Sequence, residues 1–293
     1  MKPPVFDYHA PATISETVGL LSQLENARVL AGGQSLMPML NMRFAFPDHI
    51  IDLNRVEGLA GITVEGQVLR IGAMTRQRDL QDSAVVQQRL PLLTEALTHV
   101  GHRQTRNRGT IGGSLCHLDP AAELVAVAAA LDATIDIVGP EGPRSVPMAE
   151  FPLGYMTPSL APEEIVAAVR IPLPQVRHGH CFTEFSRRHG DFAIVSAAAV
   201  LTVDASGRID HASVTLGGVG SVPLRMAEVE DMLRGNHPDP ALFAAAAAPC
   251  DAIDAMEDAQ VPAWYRRRLA VVLVRRALTT AHARLDGREP PEH

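Results

Sequence analysis

Two diglycine turns constrain this chain more than any other feature. They are Ala31-Gly32-Gly33-Gln34-Ser35-Leu36 and Arg108-Gly109-Thr110-Ile111-Gly112-Gly113-Ser114, each with polar side chains beside the glycines. Adjacent glycines admit positive φ and let a backbone approach a ligand closely, bringing its N–H groups within reach. The acidic run Asp119-Pro120-Ala121-Ala122-Glu123 follows the second turn, and 121–131 reads as a helix. A turn feeding a helix N-terminus favours an anion, through free backbone donors and the macrodipole. Two turns of one design suggest a ligand with two phosphates. Taken singly, either could be an ordinary tight turn.

At 293 residues the chain is long enough for two or three subdomains, and 46% hydrophobic with 20% charged residues is ordinary for a globular protein. A net charge of −7 and the lack of a basic, aromatic-laced patch argue against nucleic acid as a partner. Arg266-Arg267-Arg268 and Arg275-Arg276 read as solvated or subunit-facing stripes of a long helix. The three cysteines, Cys116, Cys181 and Cys250, lie far apart without C-x-x-C spacing. They suit neither a disulfide framework nor an iron–sulfur cluster, and point to a reducing compartment. No signal peptide is recognisable, and the longest apolar run, about 192–203, falls short of the roughly 20 residues of a membrane span. A cytoplasmic location is expected.

Taken in order, Thr13 and Glu16 form a capping box, followed by Ile14, Val18 and Leu21 at helical spacing. A strand over 28–31, a helical turn or two over 36–42 and a strand over 49–53 imply a small parallel unit, its loops at the carboxyl ends of the strands. Met37, Met39 and Met42 read as core fillers. A second unit begins near Gly58, with a strand over 68–73 and Thr75 placed to cap a helix. Leu90, Leu93 and Leu97 share a stripe of one helical segment over 85–100. Strands over 134–138, 144–146 and 164–171 follow, with 151–162 irregular. Pro172-Leu173-Pro174 marks the preferred domain boundary. Beyond it, 182–187, 193–204 and 209–217 read as three antiparallel strands, then helices over 227–233, 240–253 and 262–285. The expected class is α+β: an N-terminal domain over 1–174 (two α/β subdomains, about 1–56 and 57–174), a C-terminal domain over 175–285 of a three-stranded antiparallel sheet with helices, and a frayed tail over 286–293.

Five motifs in one order carry a resemblance. They are Leu30-Ala31-Gly32-Gly33-Gln34-Ser35-Leu36, Thr110-Ile111-Gly112-Gly113-Ser114, Asp119-Pro120-Ala121-Ala122-Glu123-Leu124, Val169-Arg170-Ile171-Pro172 and Ser186-Arg187-Arg188-His189-Gly190-Asp191-Phe192-Ala193. The chain resembles the FAD-binding medium subunits of the molybdenum hydroxylases, the family that includes the medium subunit of carbon monoxide dehydrogenase and the flavin domain of xanthine dehydrogenase. The resemblance implies an extended FAD. Val29, Leu30, Ala31, Gly32, Gly33, Gln34, Ser35 and Leu36 would line the phosphate site. Thr110, Ile111, Gly112, Gly113 and Ser114 would meet the phosphates and ribityl chain. Val100 and Gly101 would lie beside the isoalloxazine, Glu123 would accept from a sugar-type hydroxyl, and Val166 would offer backbone contacts. Asp191 and Phe192 would complete the set from the C-terminal domain. Ser114 stands where many relatives have Asn. Phe192 stands where some have Tyr, and could cover the flavin without hydrogen-bonding to it.

The function so implied is electron relay. A large molybdopterin subunit would oxidise substrate (an N-heteroaromatic, an aldehyde or carbon monoxide). A small iron–sulfur subunit would pass electrons to FAD on this chain, which would deliver them to an outside acceptor. The assembly would be a heterotrimer, often doubled. The alternative is a self-sufficient flavin oxidase of small alcohols or amines, for which His117, Asp119, His189 and Asp191 are candidate bases. A nucleotide-binding assembly protein is a third reading. Cys116 reads as a small filler rather than a redox-active thiol.

Overall fold

The computed structural model describes residues 2–289. Thr13 starts the helix Ile14–Gln23 as predicted: its Oγ1 accepts from the Glu16 amide at 3.1 Å. The Glu16 carboxylate reaches back to the Ala12 amide (2.8 Å), one residue short of the reciprocal bond of a capping box. Val18 and Leu21 face inward. The strands Asp7–His9, His49–Asp52 and Ala27–Leu30 form a parallel sheet with His49–Asp52 in the middle. Parallel neighbours need a crossover, and 31–48 supplies it through the short helix Leu36–Asn41. The first diglycine turn therefore leaves the carboxyl end of Ala27–Leu30. Met42, expected in the core, is 51% exposed there beside Phe44 and Phe46.

The second unit is built on an antiparallel sheet of Ile62–Glu65, Val68–Gly72, Ile165–Pro172, Thr134–Gly139 and Gly142–Pro147, in that spatial order. Helices cover it over a core that includes Leu69, Ile71, Leu93, Leu97, Ile135 and Val169. Three local expectations change. Thr75 caps no helix; its hydroxyl exchanges hydrogen bonds with the Gly61 backbone (2.9 and 3.0 Å). The segment expected as one helix over 85–100 is two, Ala84–Arg89 and Pro91–His99, because proline starts a helix and cannot continue one. The helix behind the second glycine turn runs Glu123–Ala130, two residues later than its expected start, after Asp119 closes a turn on the Ala121 amide (2.9 Å).

The C-terminal sheet has four strands, not three: Gly179–Phe185, Val195–Val203, Ile209–Gly217 and the two-residue strand Leu224–Arg225. Both faces are covered, one by the long helix Ala263–Leu285 and the other by Glu123–Ala130, which explains why the strand Val195–Val203 is buried on both sides from Val195 to Thr202. The helix expected over 240–253 is Pro240–Ala247 followed by a 3-10 turn at Ala248–Ala252 that contains Pro249. Arg266 is not solvated. It is 4% exposed and donates to the carbonyls of Ile194 (2.5 Å) and Gly218 (2.7 Å) and to Asp258 (2.5 Å). Of the tail 286–293, residues 290–293 lie outside the described residues. Among the described residues no helix is long and apolar enough to cross a membrane.

Candidate functional site

The first turn presents backbone donors. The N–H groups of Gly32, Gly33, Gln34, Ser35 and Leu36 find no acceptor among the described residues. Gly33 takes φ +72°, a conformation that favours glycine, and the Gln34 side chain donates to the Gly32 carbonyl at 3.2 Å. Five successive unsatisfied amides at the carboxyl end of a parallel strand suit a pyrophosphate, whose oxygens accept several hydrogen bonds at once. This is the observation by which the chain fits the implied FAD.

The second turn is built differently from its expectation. Thr110 caps a short helix, Ile111–His117, which takes in both glycines. Its amides are spent inside the protein: Ile111 on the Thr75 carbonyl (3.2 Å), Gly112 on the Ala73 carbonyl (2.9 Å), Gly113 on Thr110 Oγ1 (3.0 Å) and Ser114 on the Thr110 carbonyl (3.1 Å). Here glycine serves close packing. A Cβ on Gly112 would lie 2.6 Å from that of Ala73, and one on Gly113 would lie 3.3 Å from that of Ala31. Ligand contacts from this segment must therefore come from side chains and Cα–H groups, not from a row of amides.

The two turns touch. A Cβ on Gly32 would stand 2.3 Å from the Arg108 carbonyl oxygen. Two residues that carry no sequence motif tie them together. The Asn54 amide donates to the Ala31 carbonyl (3.1 Å), and the Arg76 guanidinium bonds both Asn54 Oδ1 and the Arg108 carbonyl. No spacing or composition signal pointed to either one.

Val100 and Gly101 form a turn after Pro91–His99, with Gly101 at φ +47°. Arg106 clamps it, donating to the carbonyls of Val100 (3.0 Å) and Gly101 (3.3 Å) from the polar helix Arg103–Arg108. The loop bearing Asp191 and Phe192 closes on the same turn, since a Cβ on Gly190 would lie 2.8 Å from His102 Cε1. Phe192 is 62% exposed beyond it. Val166 is buried opposite Ile137, at a β-bulge next to Ala167. The Ala167 carbonyl accepts from the Ala73 amide (2.9 Å), linking the bulge to the packing site of Gly112.

Glu123 is buried at the start of its helix, and burial pushes its carboxyl up to about 7. Near it His99 Nδ1 lies 3.4 Å from Glu184 Oε1, and that hydrogen bond, outweighing burial, holds the imidazole above its ordinary value. Burial pushes the Cys116 thiol up to about 12, consistent with a filler. Of the candidate oxidase bases, Asp119 is occupied in its turn, His189 and Asp191 are exposed, and burial holds His117 below its ordinary value.

Residues 4–174 match the family described as the FAD binding domain in molybdopterin dehydrogenase, and residues 180–281 match the CO dehydrogenase flavoprotein C-terminal domain. The chain is 40% identical over 296 residues to 6-hydroxypseudooxynicotine dehydrogenase complex subunit alpha of Paenarthrobacter nicotinovorans, covering 100% of each. It is 39% identical over 286 residues to the carbon monoxide dehydrogenase medium chain of Hydrogenophaga pseudoflava, covering 97% of this chain and 99% of that one. A carbon monoxide dehydrogenase structure from Hydrogenophaga pseudoflava superposes with a TM-score of 0.94 at 40% identity, covering 97% of this chain and 99% of that one. Fold, glycine turns and sequence agree, and the chain belongs to the family of FAD-binding medium subunits of molybdenum hydroxylase-type dehydrogenases, which are oxidoreductases.

Proposed function

We propose that this chain carries FAD between an iron–sulfur subunit and an external electron acceptor, in a complex whose large molybdopterin subunit oxidises the substrate. The supporting observation is the row of five unsatisfied amides from Gly32 to Leu36, which matches the acceptors of a diphosphate. Bound FAD supplies the chemistry of collecting electrons singly and releasing them singly or in pairs. The chain's own residues bind and orient. Residues 29–36 hold the pyrophosphate, the hydroxyls of Thr110 and Ser114 flank it, and Gly112 and Gly113 let the helix that carries them settle on Ala73 and Ala31 beside the first turn. Val100 and Gly101, stiffened by Arg106, form a wall beside the ring system, with Val166 lending backbone contacts. Asp191 and Phe192 bring an exposed loop over it, where Phe192 shields it from water. Glu123 accepts from a hydroxyl of the bound cofactor.

In this reading the FAD region is 1–174 and the C-terminal domain 175–285 closes over it. The complex is a cytoplasmic dimer of heterotrimers, and substrate choice resides in the large subunit. Purification of the native complex, with identification of its subunits and assay of flavin, iron and molybdenum, tests the assembly. Titration of the isolated chain with FAD tests the site: the expected outcome is a yellow, stoichiometric complex that does not turn over alcohols or amines. A folded chain that stays colourless in excess FAD overturns the reading.

A further inference from the structure

The joint between the second N-terminal unit and the C-terminal sheet holds more buried polar groups than packing requires. His99 ends the helix Pro91–His99 and immediately precedes the Val100–Gly101 turn. Its ring packs on Phe182 at 5.5 Å between centroids, and its Nδ1 faces Glu184 Oε1. The Glu184 side chain is 4% exposed, and its Oε2 has no partner among the described residues. Ser196, its cross-strand neighbour, is fully buried with an equally unpartnered hydroxyl. Glu123 adds a second buried carboxyl from Glu123–Ala130. The remaining charges are accounted for. Glu95, on the same helix as His99, is neutralised by Arg284 through two 2.8–2.9 Å bonds, and Arg106 is turned to the carbonyls of Val100 and Gly101. An apolar joint would be no less stable than this one, because desolvating charges costs about as much as pairing them returns.

We propose that His99 and Glu184 are a positioning pair that sets the electrostatic surroundings of the bound flavin through the Val100–Gly101 turn. The inference rests on the reading above that this turn walls the ring system. With His99 protonated the pair carries no net charge. When His99 loses its proton, Glu184 leaves one negative charge behind the turn, and addition of electrons to a neighbouring group becomes less favourable. The midpoint potential of the flavin is thus tied to the protonation of a residue that does not touch it.

Spectroelectrochemical titration of the purified complex across pH provides the test, with FAD content measured first; a wild-type complex without FAD would refute the proposed function, not this pair. The wild-type potential is expected to show an extra inflection where His99 titrates. Below that inflection His99→Gln lowers the potential, the double variant His99→Gln/Glu184→Gln restores it, and both lack the inflection. If His99→Gln does not assemble, Glu184→Gln serves: its inflection moves to lower pH, because the imidazole has lost the partner that holds its proton. A His99→Gln complex with full FAD and the wild-type potential and pH profile overturns the proposal. So does an inflection that survives His99→Gln and disappears in Glu123→Gln, or one that Glu184→Gln leaves unmoved.

Discussion

Gly32 stands directly against Arg108, so that a Cβ at position 32 would lie 2.3 Å from the Arg108 carbonyl oxygen and 2.8 Å from Gly109 Cα. Both neighbours are backbone and cannot swing aside. Gly32→Ala is therefore expected to cost about 1–3 kcal/mol through overpacking and to weaken FAD binding by about tenfold or more, as the row of amides is displaced. Flavin fluorescence quenching and urea unfolding measure the two effects. Gly19→Ala serves as a control: it has open space around its Cβ on the helix Ile14–Gln23 and should gain about 0.5–1 kcal/mol without changing FAD affinity.

Glu123 gives a pH signature. Its carboxyl sits near 4.5 when exposed and at about 7 when buried in the fold. Between those values the folded chain holds a proton that the unfolded chain has released, so stability falls as pH rises through this window and levels off above it. Glu123→Gln removes the ionisation. In the FAD-free chain its unfolding free energy should gain on wild type from pH 5 to pH 8 by on the order of 3 kcal/mol, read from urea unfolding at each pH. A difference that stays constant across pH contradicts the burial argument.

Glu95 and Arg284 join the helix Pro91–His99 to the long C-terminal helix through paired 2.8–2.9 Å bonds; Glu95 also accepts from the Phe182 amide and Arg284 donates to the His180 carbonyl (2.8 Å each). Both side chains are partly exposed, 21% and 29%, so the pair falls between surface and buried ion pairs. A double-mutant cycle with Glu95→Gln and Arg284→Ala should return a coupling of about 1–2 kcal/mol. A coupling near zero would mean that the surrounding sheet alone holds the joint.

Thr110 Oγ1 accepts the Gly113 amide at the start of a helix that contains two poor helix formers. Thr110→Val keeps the shape and removes the acceptor. Loss of about 1 kcal/mol of stability, with hydrogen exchange at Gly113 accelerated above that of Gly112, is the expected result.

The sequence carried the first turn well and the second poorly, for a physical reason. At Gly32-Gly33 the backbone departs from regular structure, as adjacent glycines lead one to expect, and its donors stay free. At Gly112-Gly113 the same dipeptide lies inside a helix, because the missing side chains let that helix settle on Ala73 and Ala31. The helix Arg103–Arg108 left no trace in the periodicity, having no buried residue. The strand Leu224–Arg225, at two residues, is too short to show a pattern.

The features legible in the residues alone are local and ordered along the chain: the Thr13 cap, the alternation of strands and helices, the mostly apolar strand Val195–Val203, and five motifs whose order specifies the family. Which distant groups meet depends on how the chain packs. Arg76 bridges Asn54 and Arg108, Gly190 closes on His102, Glu184 faces His99, and Arg266 turns inward to bare carbonyls. A charged side chain reads alike in sequence whether solvated or buried. Its role depends on the partners that packing brings within about 3 Å, and no local pattern records those partners.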